Sequence, residues 1–300
     1  MNYKRIRAAV MLTAAALVWG AAMSFQSDAM NDVEPLTFQA TRFLLGGTVL
    51  LPLVFFLGKE DPGRQRSDYD PKGVFVGGAV CGLFLMIACT LQQFGIIYTT
   101  VGKAGFLTSL YIIVVPIMGI FLKKRVGLNV WIGVVLALIG MYLLCMKESL
   151  VLSRGDTLVF ICALVFSFQI MAIDKYAAIY NGLKLSCIQF YVCGILSAVL
   201  MLIFEEPSIG AILKAWVPVL YTGVFSCGIG YTFQTIAQKD LNPAVASIIM
   251  SLESVFAALF GWIILGQKMS SREIIGCVVM FAAIMVAQVF DVLGKKTDSE

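Results

Sequence analysis

The chain has 300 residues, of which 60% are hydrophobic and 13% charged, with a mean hydropathy of +0.91. A water-soluble domain carries about 25% charged residues, so a soluble single-core fold is excluded and a bilayer is the expected solvent. The net charge of +4 calls for no nucleic-acid partner, and histidine, the usual neutral-pH base, is absent.

A helix that crosses hydrocarbon needs about 20 predominantly apolar residues, and ten stretches qualify. The first two, 8–28 and 36–57, are separated by polar residues at 32–35 and follow Lys4, Arg5 and Arg7. A charged loop, 58–72, leads to the third stretch, 74–97, and the fourth at 104–122. The fifth, 128–146, comes after Lys123, Lys124 and Arg125, and the sixth and seventh run over 156–174 and 185–204. Glu205 to Pro207 break the chain before the eighth, ninth and tenth at 216–237, 244–265 and 273–293. Polar residues after the first stretch, with no small-x-small cleavage pattern, make it a retained helix rather than a signal peptide. The eight cysteines lie in or beside these apolar runs without a CxxC pair, which supports neither a disulfide framework nor a zinc site.

Lys and Arg accumulate in the cytoplasmic segments of membrane proteins. With the amino terminus inside, 15 of the 22 Lys and Arg fall in inner segments and six in outer ones, Arg42 lying within a span. Both termini are therefore expected in the cytoplasm.

The chain also resembles itself. At an offset of 147, Ala16, Leu17 and Val18 meet Ala163, Leu164 and Val165, and Phe43 and Gly47 meet Phe190 and Gly194. At 142, Thr90 and Gln92 meet Thr232 and Gln234, Ala104 meets Ala246, and Ser109 and Leu110 meet Ser251 and Leu252; at 143, Gly133 meets Gly276. The expected organisation is two five-helix repeats, 1–150 and 151–300. An odd number of spans per repeat inverts the second in the membrane, the arrangement by which transporters alternate access to a midplane site. Gly105, Ser109, Pro116 and Gly119 form a seam of small residues in the fourth span, matched by Ser247, Ser251, Ala258 and Gly261 in the ninth. Small residues let helix backbones approach closely in lipid.

These residues resemble the EamA type of the drug/metabolite transporter superfamily over nearly the whole chain. The most specific stretch is Asn242-Pro-Ala-Val-Ala-Ser, then Ser251-Leu-Glu-Ser-Val-Phe-Ala-Ala-Leu-Phe-Gly and Leu265-Gly-Gln-Lys, with Ser254 and Gln267 where the family often has Pro and Glu. Residues 104–116 and the Arg42-Phe43 pair after Pro35 also fit. The resemblance implies an all-α membrane protein of ten transmembrane helices. It further implies a secondary transporter that exports a small amino-acid-like or drug-like metabolite across the inner cell membrane by alternating access, as a monomer or homodimer. A channel or facilitative pore is the alternative reading. Neither an enzyme nor a cofactor is expected: GxSxG, HExxH and P-loop motifs are absent from the sequence.

Ionisable side chains inside hydrocarbon are costly and mark interiors or solute paths. Glu253 lies ten residues past Pro243, about 15 Å deep at about 1.5 Å per residue, and Arg42 seven past Pro35, about 10 Å deep. The depths allow an Arg42–Glu253 ion pair, structural or coupling. The repeat sets Tyr111 opposite Glu253 and Gln92 opposite Gln234, with Gln92 toward the outer end and Gln234 toward the inner end. Trp19, Gln92, Tyr111, Tyr231, Gln234 and Glu253 are the candidate substrate-binding residues, with Phe25 and Phe106 as further wall candidates. Asp28 and Asp174 are expected to be solvated span ends.

The orientation has a direct check. In a cysteine-free background, an impermeant thiol reagent added to intact cells should label a cysteine at Glu205 and spare one at Arg64. Labelling at 64 but not at 205 would reverse the topology.

Overall fold

The computed structural model describes residues 3–57, 70–124, 126–145, 153–265 and 270–293, with side chains described outside 261–265 and 288–293. Arg64, most of the 58–72 loop, Arg125 and Gln267 lie outside the described residues. All regular structure among these residues is helical: α1 Tyr3–Ala29, α2 Pro35–Leu57, α3 Pro71–Ile97, α4 Val101–Thr108, α5 Tyr111–Phe121, α6 Leu128–Cys145, α7 Arg154–Ala177 and α8 Gly182–Phe204. There follow α9 Ile209–Lys214, α10 Trp216–Leu220, a π-helical segment Tyr221–Tyr231, α11 Thr232–Gln238, α12 Pro243–Met250, α13 Glu253–Leu265 and α14 Ser271–Leu293. Among the described residues, eight helices are long and apolar enough to cross a membrane, the runs Val101–Phe121 and Pro243–Phe260 each counting as one. The chain is a multi-pass membrane protein.

Local chemistry explains where the helices start. Thr100 accepts a hydrogen bond from the Lys103 amide, Asn181 from those of Leu183 and Lys184, and Asn242 from that of Ala244, each supplying an acceptor to amides that a helix start leaves unpaired. Ser153 and Asp156 form a reciprocal capping box at the start of α7. The start of α2 is capped from a distance: the Glu205 carboxylate accepts from the Leu36 and Thr37 amides at 2.8 and 2.7 Å and from the Thr37 hydroxyl at 2.8 Å. Glu205 is therefore structural, and exposed Glu206 beside it is the better labelling position.

Two helices tighten midway. Between α4 and α5, Ser109 and Leu110 adopt ψ of −6° and −9°, and the Leu110 and Ile112 amides bond three residues back, to Leu107 and Ser109. Between α12 and α13, Ser251 has ψ −9° and the Leu252 and Ser254 amides bond back to Ile249 and Ser251. Such 3₁₀-like turns inside a helix often mark hinges. At the second, the Ser251 hydroxyl bonds the Ile248 carbonyl at 2.7 Å, a back-bond that bends helices. At the first, the Ser109 hydroxyl turns instead toward Glu253 and Ser254, 3.4 Å from each.

Packing interleaves the two halves of the chain. α1 packs chiefly on α12, α13, the π-segment and α11, and α7 on α3, α4 and α5, while α2 pairs with α8 and α6 with α14. The last pair crosses at glycines. A Cβ on Gly140 would lie 2.9 Å from the Gly276 carbonyl oxygen, and one on Gly276 would lie 2.8 Å from that of Gly140, so no side chain fits at either place without moving a backbone. Gly140→Val should therefore destabilise the purified protein, by about 1–3 kcal/mol as for other overpacked interiors. Thermal unfolding in detergent measures this: a clear fall in Tm is expected, and none for a substitution at the exposed Ile139 one residue away.

Candidate functional site

The tightened turns and the π-segment converge on a central pocket. Its wall includes all six candidate substrate-binding residues: Trp19 from α1, Gln92 from α3, Tyr111 from α5, Tyr231 from the π-segment, Gln234 from α11 and Glu253 at the start of α13. Met23, Gln26, Thr108, Phe166, Ile170, Ser226 and Met250 complete it. Phe25 and Phe106 are not part of it: Phe25 stacks on Tyr221 with ring centroids 4.4 Å apart, and Phe106 packs into the buried cluster around Ala104 and Val159.

The wall is aromatic on one side. Trp19 and Tyr231 stand 4.9 Å apart, and the Trp19 indole N–H points at the Ser226 carbonyl 3.4 Å away. Gly230 lies so close that a Cβ there would meet Trp19 Nε1 at 2.6 Å. Amides and hydroxyls line the rest. Gln92 donates to the Thr108 hydroxyl at 3.2 Å; Gln234 donates to Gln169 and Gln238, each at 3.4 Å; Gln238 donates to the Ile170 carbonyl at 2.6 Å. An apolar cavity with a few fixed polar groups is the ordinary construction of a small-solute site.

Glu253 is half-buried, and among the described residues its carboxylate accepts only a long hydrogen bond, from Ser109 at 3.4 Å. A second, wider void shares Glu253 and Met23 with the first and extends past Asp28, Asn31 and Lys103 to Glu273. Glu253 thus stands where the two voids meet. Lys103 pairs with Asp156 at 3.6 Å, and Thr99 also donates to that carboxylate.

Arg42 and Glu253 are not brought together. Arg42 donates from Nη1 to Gln26 Oε1 at 2.7 Å and lies over the Phe43 and Phe38 rings, and no salt bridge joins it to Glu253. Similar depth along two helices did not translate into proximity, because α2 packs on α8 and the π-segment whereas α13 packs on α1. Asp174 also departs from expectation: it pairs with Lys124 at the end of α5 instead of being a free solvated end.

The lining residues that the sequence left unmarked carry one usable signal. Trp19 and Met23 lie 147 residues before Phe166 and Ile170, and Gln92, Thr108 and Tyr111 lie 142 before Gln234, Met250 and Glu253. Applied to Trp19, the first offset would have found Phe166. Gln26 and Ser226 have no such partner in the wall, and only the fold brings them there.

The profile of the EamA-like transporter family matches residues 6–146 and again 153–288. An uncharacterized transporter of Archaeoglobus fulgidus is 28% identical over 289 residues, covering 94% of this chain and 86% of its own length. The uncharacterized transporter YoaV of Bacillus subtilis is 22% identical over 280 residues, covering 90% and 92% of the two chains. A crystal structure 19% identical in sequence superposes with a TM-score of 0.79 over 95% of this chain and 98% of that one, which establishes likeness of fold. The chain belongs to the EamA-like transporter family, and its class is that of a membrane transporter.

Because Glu253 lacks a cationic partner among the described residues, Glu253→Gln should keep wild-type thermal stability. If Glu253 couples transport to protons, the variant should retain solute exchange across liposomes and lose accumulation driven by a pH gradient. Undiminished gradient-driven accumulation in the folded variant would remove Glu253 from coupling.

Proposed function

We propose that the protein is a secondary carrier that moves a small metabolite through the central cavity by alternating access. Ten spans form two inverted five-helix repeats, 1–150 and 151–300, in this reading. The observation that carries it is the pairing of the cavity wall: ten lining residues fall into five pairs at the repeat offsets of 147 and 142. A site built twice over from equivalent positions lies on the axis relating the halves, where exchanging their conformations turns an outward-open site into an inward-open one.

Reciprocal contacts support the same axis. A Cβ on Gly47 would touch the Tyr191 ring, and one on Gly194 would touch Leu44; the offset of 147 exchanges one contact for the other. Gly133 against Ala283 and Gly140 against Gly276 are exchanged in the same way by 143. A two-fold relation has this property: if residue i meets j, the equivalent of j meets the equivalent of i. The tightened turns at Ser109–Leu110 and Ser251–Leu252 also sit 142 apart, and two separate matches of the family profile fit a duplicated chain.

In this scheme the wider void is the open approach, on the side of the start of α4, and the bonded amides of Gln169, Gln234 and Gln238 close the other side. The carrier sits in the inner cell membrane with both termini in the cytoplasm, as a monomer or homodimer, and exports an amino-acid-like or drug-like solute. The family resemblance supports transport of a small metabolite.

Counterflow in proteoliposomes tests the carrier against a channel. Internal unlabelled solute should stimulate uptake of labelled solute, and saturably. Simple equilibration without stimulation would favour the pore. Alternating access has a second readout, since Gln92 and Gln234 lie toward opposite ends of the repeat pair. A saturating carried solute should shift thiol labelling of Gln92→Cys and Gln234→Cys in opposite senses, and parallel shifts would overturn the scheme.

A further inference from the structure

Arg42 is the one cation buried in the interior of the described residues, with 2% of its surface exposed. Its guanidinium lies 4.9 Å from the Phe43 ring centroid and 5.3 Å from that of Phe38. Aromatic faces attract a cation, yet they supply no hydrogen-bond acceptors for its N–H groups. Only Nη1 is served, by Gln26 Oε1 at 2.7 Å. Nε and Nη2 are buried and have no partner among the described residues.

Those two atoms are not an arbitrary remainder. Nε–H and the adjacent Nη2–H point the same way in the guanidinium plane, forming the edge that receives both oxygens of a carboxylate side by side. A buried guanidinium with this edge unpaired is costly unless an anion occupies it in some state of the protein. The guanidinium lies one side chain away from the solute cavity, whose wall does not include Arg42 itself. Gln26, which holds Nη1, is part of the cavity wall, and the Phe43 ring beneath the guanidinium is 6.1 Å from the ring of Tyr231, another wall residue.

We propose that Arg42 is an oxyanion subsite of the central cavity: the carried solute bears a carboxylate or similar planar oxyanion that docks on the Nε/Nη2 edge, with Gln26 as the movable group between guanidinium and cavity. This rests on reading the cavity as a solute site. Glu253 stands in the same wall, so a simple acid and a zwitterion both satisfy Arg42, while the zwitterion also presents a cation to the carboxylate.

A matched ligand set separates these cases: hexanoate, L-norleucine, hexanamide and hexylamine, each titrated against the purified full-length protein with Tm as the readout. One or both carboxylates should raise Tm at concentrations where the amide and the amine do not. Stabilisation by hexanoate marks a simple acid, and stabilisation confined to norleucine marks a zwitterion; either supports the subsite. Arg42→Lys keeps the charge but removes the two-pronged edge, and should weaken the carboxylate response about tenfold in half-saturating concentration. Arg42→Met should abolish it, and the lysine variant carries the test if the methionine variant does not fold. Equal stabilisation by amide and acid, undiminished carboxylate binding in Arg42→Lys, or no carboxylate response in the wild type would each overturn the assignment. Counterflow judges the carrier separately: saturable exchange of a neutral solute without carboxylate preference keeps the carrier and removes the oxyanion. Carboxylate-dependent stabilisation without any counterflow does the reverse.

Discussion

In hydrocarbon, no water is available to a backbone N–H or C=O, and every such group must find its partner within the protein. All else in this structure follows from that constraint. It limits the described chain to helices, and it removes the hydrophobic force that would hold helices together in water, because lipid tails are as apolar as leucine. Close approach takes over that role. At the crossing of α6 and α14, Gly140 and Gly276 bring backbone against backbone, and Gly20 lets α1 run against the carbonyl of Glu253. The exposed surface is correspondingly oily, with Phe55, Phe56, Phe121, Phe204 and many aliphatic side chains facing outward, where a soluble protein would suffer aggregation.

The same constraint drives polar side chains inward and toward each other. Gln26, Gln39, Gln92, Gln93, Gln169, Gln189, Gln234 and Gln238 are all buried. Some hold helices together: Gln39 on α2 reaches the Thr90 and Ser197 hydroxyls on α3 and α8. Others line the central void. The two uses share a chemistry and differ only in whether a neighbouring helix or a cavity receives the amide, so residue type alone does not separate them. The π-helical segment has a related effect. Widening the turn over Tyr221–Tyr231 places the Ser226 carbonyl and the Tyr231 ring against Trp19, at a place where the equivalent stretch of α3 is regular helix. π-Helical turns cost stability and recur at functional sites.

Symmetry in the proposed repeat is broken in an informative way. Val101–Phe121 is tied to α7 near both ends by charge, through Lys103 with Asp156 and Lys124 with Asp174. The corresponding contact, α12 and α13 against α1, relies on close packing at Gly20. Near the amino-terminal end of α1, Arg7 meets Asp240 from the turn after α11, a partly exposed pair at 3.5 Å that adds little. The first crossing thus includes oriented ion pairs, and the second a close backbone approach at Gly20. A hinge-like turn lies in each, at Ser109 in the first and at Ser251 in the second.

Sequence alone determined the solvent, the apolar stretches and the internal offsets, because each depends on composition and spacing that survive any folding, and its motifs carried the family resemblance. It also marked six residues of the cavity wall, since a carboxylate, amides and aromatics in an apolar run have few other reasons to be there. What it did not decide is lateral: which helix lies beside which. Arg42 and Glu253 share a depth, and sequence gives depth through the fixed rise of a helix, but rotation and neighbour choice come from packing. Packing set Arg42 against Phe38, Phe43 and Gln26, leaving Glu253 to stand between two voids. Only the tertiary structure brought Gln26 and Ser226 into the wall, for the same reason. A period of about 3.6 residues says which side chains share a helix face, and only the contacts between helices say what that face meets.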